Sequence, residues 1–173
     1  MKTIESTNPL TLQHKANIIV RRAEHLEMCF GVRDAINFAR SKVAEHPITV
    51  MGELVHNTSV LDDLKKRGVQ FKDKPEQVET KSAMITAHGA SNRVRNRAKM
   101  AGLKISDATC PLVHYAHQQL RKLADAGCHP IIIGRRGHVE VRGLTEDLAS
   151  CDVVLNKADI DALAVYPSYG VMA

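Results

Sequence analysis

Three histidines, His56, His88 and His138, each stand a few residues beyond a short apolar run and beside a small or amide residue: Asn57, Gly89 and Gly137 respectively. Gathered in one place, three imidazoles can donate hydrogen bonds to a diphosphate or ligate a metal. Any one of them alone reads more simply as a surface or core-edge histidine, so the shared position is what points to a site. Glu140 follows His138 by two residues. A buried carboxyl beside that imidazole suits general-acid work, because desolvation favours its protonated form; the bland alternative is a solvated turn carboxylate.

Cys29 and Cys110 both precede stretches of helical periodicity. There the positive end of the helix dipole and the free N–H groups favour a thiolate, the form that binds iron. Cys128 and Cys151 stand at element ends and read as ordinary thiols, though spacing alone does not exclude them as ligands. No CxxC pair occurs, so a disulfide framework is not indicated. His138-Val139-Glu140 has the HxE spacing of zinc deaminases. The partner PCxxC is absent, with Cys110-Pro111 in reversed order, and that argues against a zinc hydrolase or deaminase. Walker, GxGxxG and GxSxG signatures are missing too, which sets aside kinase, dinucleotide and α/β-hydrolase chemistry. Arg93, Arg95, Arg97 and Lys99 fall at steps of two, spread around a short helix, and read as a solvated face.

The elements that must position these residues alternate along the chain. Residues 1–16 are polar and aperiodic, a flexible leader, and Asn17–Val20 is the first expected strand. Val32, Ala35, Ile36, Ala39 and Val43 make one apolar helical face that His46-Pro47 ends. Strands are expected at Ile48–Met51, Val69–Phe71, Ala83–Ala87, Leu103–Ile105 and Pro130–Gly134, and more weakly at Val153–Leu155 and Val165. Helices are expected at Thr58–Arg67, Pro75–Glu79, Ser91–Met100 and Pro111–Ala126. This alternation predicts α/β architecture: repeated small α/β domains with mainly parallel sheets, residues 17–110 in the first and 111–173 in the second. The candidate residues lie just after strands, where open parallel sheets bind ligands.

With 173 residues, 44% hydrophobic and 25% charged, the chain has the balance of a globular protein rather than a disordered one. Its net charge of +5 suits an anionic ligand. With no Trp, three Phe and three Tyr it offers few stacking platforms, so no nucleic-acid partner is expected. No apolar run approaches the roughly 20 residues of a membrane span and the start lacks a signal-peptide core, so the expectation is a cytoplasmic chain with no membrane partner.

Five motifs occur in an order similar to that of the 4-hydroxy-3-methylbut-2-enyl diphosphate reductase (LytB) family. They are Cys29-Phe30-Gly31-Val32, Glu53-Leu54-Val55-His56-Asn57, Ala87-His88-Gly89, Asp107-Ala108-Thr109-Cys110-Pro111-Leu112-Val113 and Gly137-His138-Val139-Glu140-Val141-Arg142-Gly143. The resemblance covers about residues 17 to 173 and departs at Glu27, Ala90 and Val139. It implies a [4Fe-4S] cluster with Cys29 and Cys110 among three cysteine ligands. It also implies diphosphate binding by His56, His88 and His138, proton delivery by Glu140, and a ferredoxin or flavodoxin as electron donor. The implied reaction removes the substrate hydroxyl to give isopentenyl and dimethylallyl diphosphates. Family members carry three similar domains, so the chain is expected to stop before the third, without the third cysteine ligand, and to be inactive by itself. The alternative is a non-catalytic diphosphate-binding module that keeps the histidines without a cluster.

Overall fold

A computed structural model describes residues 28–173, so the leader and the strand expected at Asn17–Val20 lie outside the described residues. The first described helix, α1 (Phe30–Glu45), forms where the apolar face predicts it and buries Ala35, Ile36 and Ala39. Then follow β1 (Thr49–Met51), α2 (Thr58–Lys66), β2 (Gln70–Lys72), a 3-10 turn (Pro75–Gln77), β3 (Ser82–Ile85), α3 (Asn92–Met100) and β4 (Lys104–Asp107). These strands make one parallel sheet in the order β2-β1-β3-β4.

Both faces of that sheet are covered, and the period of two along each strand decides which residue meets which cover. Val50 and Met84 face Ile36, Ala39 and Leu64 on the α1 and α2 side. Met51, Ala83 and Ile85 face Ala98 of α3 on the other. Ile48, Leu54, Leu64, Met84 and Ile85 are almost wholly buried, and removing each from water is worth about 1.5–3 kcal/mol. Asn57 and Ser91 cap α2 and α3 by accepting hydrogen bonds from the Val60 and Val94 amides, both at 3.2 Å.

A second parallel sheet, ordered β6-β5-β7, follows α4 (Pro111–Asp125). Its strands are β5 (His129–Ile133), β6 (Asp152–Val154) and β7 (Tyr169–Met172), with α5 (Val139–Thr145) and α6 (Lys157–Asp161) between. Leu120, Ile132 and Val141 form its core. Here sequence reading falls short. The last strand lies at Tyr169–Met172 while Val165 is exposed, and α5 and α6 are too short to show a periodic face. No helix among the described residues is long and apolar enough to cross a membrane.

Polar contacts join the two sheets' surroundings. Asp147, just beyond α5, accepts the backbone N–H groups of Asn92 (2.6 Å) and Arg93 (3.2 Å), supplying the acid that the first turn of α3 lacks. Beside it, Ser91 Oγ donates to Glu146 at 2.7 Å.

Candidate functional site

The turn after β4 is built to present Cys110. Asp107 Oδ1 accepts the Thr109 amide at 3.0 Å and the Thr109 hydroxyl at 2.5 Å. Arg95 reaches across from α3 to Asp107 Oδ2 (2.5 Å), to Thr109 Oγ1 (3.2 Å) and to the Ala90 carbonyl (3.2 Å). Burial pushes the Asp107 carboxyl up, but the bonds from Arg95 and Thr109 outweigh it and hold the group below the usual carboxylate range. The Cys110 amide donates to the Ala87 carbonyl at 3.0 Å, so the cysteine is tied to the end of β3 as well. Arg95 therefore does not belong to a solvated face: it is half-buried and braces the cysteine turn. The alternation of charges along α3 hid this, because its partners lie in a distant turn.

Cys29 and Cys110 are the N-cap residues of α1 and α4, and neither side chain makes a capping hydrogen bond. All four cysteines are free thiols. Gly31, two residues after Cys29, packs against Cys110: a Cβ at that position would stand 2.8 Å from Cys110 Sγ, closer than atoms pack, so glycine is what lets α1 start against the thiol. Cys128 and Cys151 lie at the opposite, N-terminal ends of β5 and β6. Burial pushes the Cys151 thiol up, which disfavours the thiolate a metal needs. Two unbonded thiols at helix N-termini, one lodged in a notch only glycine leaves, fit two positions of a thiolate-held metal group. Among the described residues no set of three His, Cys, Asp or Glu side chains closes around an ion.

The histidines take different settings. His88 sits in a turn closed by the Gly89 amide on the Thr86 carbonyl (3.1 Å), and Gly89 adopts φ +76°, a left-handed conformation that favours glycine. His88 Nδ1 lies 3.0 Å from Glu140 Oε1, bringing the end of β3 to the first turn of α5. His138 is the N-cap of α5, its side chain free of any capping bond. His56, beyond β1 on the same strand-end edge as His88, is well exposed and 3.1 Å from Glu53 Oε1. Glu140 departs from the expectation of a buried acid beside His138: its side chain is 45% exposed and its partner is His88, because it lies on the open first turn of α5. It borders an apolar hollow of about 150 Å³ that Ile132, Val141 and Leu144 help to line.

Sequence reasoning missed Arg95 and also His117, whose Nε2 is buried without a hydrogen-bond partner. Burial, helped by Arg121 and Arg95, holds the His117 ring below the ordinary histidine range, so it is neutral near pH 7. The available signal was the polar stripe His114, His117, Gln118 and Arg121 at helical spacing in α4.

Comparison with known proteins places this geometry. The family model described as LytB protein matches residues 20–173. A 4-hydroxy-3-methylbut-2-enyl diphosphate reductase of Burkholderia mallei is 40% identical over 144 residues, covering 81% of this chain and 44% of that one. The reductase of the same name from Acinetobacter baumannii is 41% identical over 145 residues, covering 79% and 46%. The solved E-1-hydroxy-2-methyl-but-2-enyl-4-diphosphate reductase of Plasmodium falciparum superposes with a TM-score of 0.77 at 33% identity, covering 83% of this chain and 46% of that one. The chain thus spans less than half the length of the curated relatives it matches.

Proposed function

The chain belongs to the LytB family, and from that premise we propose that it carries the diphosphate-binding and proton-delivering part of a 4-hydroxy-3-methylbut-2-enyl diphosphate reductase. Its two α/β units, 17–110 and 111–173, meet at Cys110. The His88–Glu140 contact supports this reading most directly, because it brings two separate motifs together at one strand-end edge. Cys29 and Cys110 would hold a [4Fe-4S] cluster as two of its thiolate ligands. When bound, that group supplies the two electrons, drawn from a ferredoxin or flavodoxin, that reduce the allylic C–O bond.

The chain's own residues do the rest. With both ring nitrogens protonated, His88 donates from Nδ1 to Glu140 Oε1 and from Nε2, together with His56 and His138, to diphosphate oxygens. Glu140 keeps a second carboxyl oxygen free to hand a proton to the leaving hydroxyl, which departs as water. The second proton ends on an allylic carbon, giving isopentenyl or dimethylallyl diphosphate.

Anaerobic reconstitution with iron and sulfide tests the assignment. Thiolate-bound iron with visible charge-transfer absorption is expected, falling to background in Cys29→Ser and in Cys110→Ser. Uptake unchanged by both substitutions would overturn the cluster assignment. Pyrophosphate binding lost in a His56→Ala/His88→Ala double variant, with no cysteine-dependent iron, would identify a cluster-free diphosphate module instead.

A further inference from the structure

Behind the turn that carries His88, a polar cleft of about 270 Å³ opens between α3 and α4. That is far more than the ~15 Å³ a single water needs. Asn92 and Arg95 line it from α3, and His114, His117, Gln118 and Arg121 line it from one stripe of α4. No carboxylate lines it. Two acids stand behind the lining and are held there: Asp107 by Arg95 and Thr109, with its Oδ2 3.7 Å from His114 Nε2, and Asp147 by the backbone N–H groups at the start of α3. Arg121 has no ion pair or hydrogen bond among the described residues, so its charge is the one left uncompensated at the cleft.

His117 adds a donor. A neutral imidazole carries its proton on one nitrogen only. Nε2 is buried and unpartnered in the seam beside Gly89 and Gly143. An orphaned N–H there costs more than an orphaned lone pair, so the proton belongs on Nδ1, the nitrogen that remains to serve the cleft. One uncompensated guanidinium, one imidazole N–H, a second imidazole and two side-chain amides form a donor-rich pocket with no carboxylate in its lining.

We propose that the α3–α4 cleft binds a phosphate group, free or carried by a small phosphorylated molecule, at a site separate from His56, His88 and His138. This does not depend on the reductase reading. Its place beside Thr109 and Ala90 puts the bound anion against the turns that carry Cys110 and His88.

The test is an NMR titration of the full chain, isotope-labelled at histidine, with inorganic phosphate at constant pH and ionic strength. Saturable shifts of the His114 and His117 rings are expected. Arg121→Gln should weaken them about tenfold, the scale of one charge-assisted hydrogen bond. Gln118→Glu, which places a carboxylate in the cleft, should weaken them at least as much, and His56→Ala should leave them unchanged. Absence of saturation, or wild-type affinity in Arg121→Gln, overturns the proposal. Shifts confined to the His56 and His138 rings overturn it while leaving the diphosphate site intact. Glycerol phosphate as a second titrant separates the sources: tighter binding than inorganic phosphate marks a phosphorylated molecule, equal or weaker binding marks the free ion.

Discussion

His88 and His129 are both imidazoles paired with a carboxylate, yet their surroundings give the two pairs opposite roles. His129 is buried at the N-terminal end of β5, with Nε2 2.8 Å from Asp152 Oδ2. Its ring stacks on Tyr166 with centroids 3.7 Å apart and meets Tyr169 edge-on. Tyr169 in turn donates to the Ala164 carbonyl and accepts the Tyr166 amide. The bonds and ring contacts of that cluster run between parts of one sheet, so it fastens β6, β7 and the segment before β7 to β5. The His88–Glu140 pair lies at a strand C-terminal end, with Glu140 half-exposed over an apolar hollow and His138 two residues away. A His–carboxylate pair marks a candidate site when it opens on a hollow, and a structural clasp when its ring is buried and stacked within its own sheet.

The largest effect on stability should come from the clasp. His129→Ala removes a part-buried hydrogen bond, a buried ring and an aromatic stack, for a loss of about 2 kcal/mol in urea unfolding. His88→Ala should cost less than about 1 kcal/mol, because its ring makes no aromatic stack and its pair with Glu140 is open to water, while weakening pyrophosphate binding. Equal stability losses at the two positions would break the comparison.

Close to the clasp in size is the notch at Gly31. Gly31→Ala drives a methyl into Cys110 Sγ and should cost about 2 kcal/mol by overpacking. Combining it with Cys110→Ala, which shrinks the opposing side chain, should recover part of that loss, so a double-mutant cycle should show favourable coupling. Additive losses would mean that α1 does not start against the thiol. The region of the candidate site is thus expected to be tightly packed where it holds a cysteine and loose where it holds an imidazole.

Much of this was legible in the sequence, for reasons that differ by residue. The first sheet could be read because its strands are short apolar runs bounded by Gly and Pro, and because α1 carries a clear face in Ala35, Ile36 and Ala39. Cys29 and Cys110 could be placed at helix starts from local pattern alone. Arg95 could not be assigned, since its role depends on Asp107 and Thr109 folding back against α3. Glu140 was readable as an acid near a histidine but not as the partner of His88, a contact spanning 52 residues. The strand at Tyr169–Met172 escaped because exposed Tyr169 and Val171 alternate with Gly170, which gives no apolar signal.

The smallest expected effect concerns His117, which stands between the two regions as a buried imidazole with no carboxylate bonded to it. Burial is the main cause of its lowered pKa, and Arg121, Arg95 and His114 add to it against Asp147. The unfolded chain therefore binds a proton at His117 that the folded chain refuses, in the interval between the ordinary value of 6.5 and the lowered one. Its contribution to stability is full above 6.5 and is lost as pH falls through that interval. In phosphate-free buffer, the stability of the wild type relative to His117→Gln should decline as pH falls below the ordinary value of 6.5, read from urea midpoints. Parallel profiles for the two proteins would show that the ring is solvated after all. His117 would then be open to water at Nε2, and the cleft would lose the reason for directing its Nδ1 proton inward.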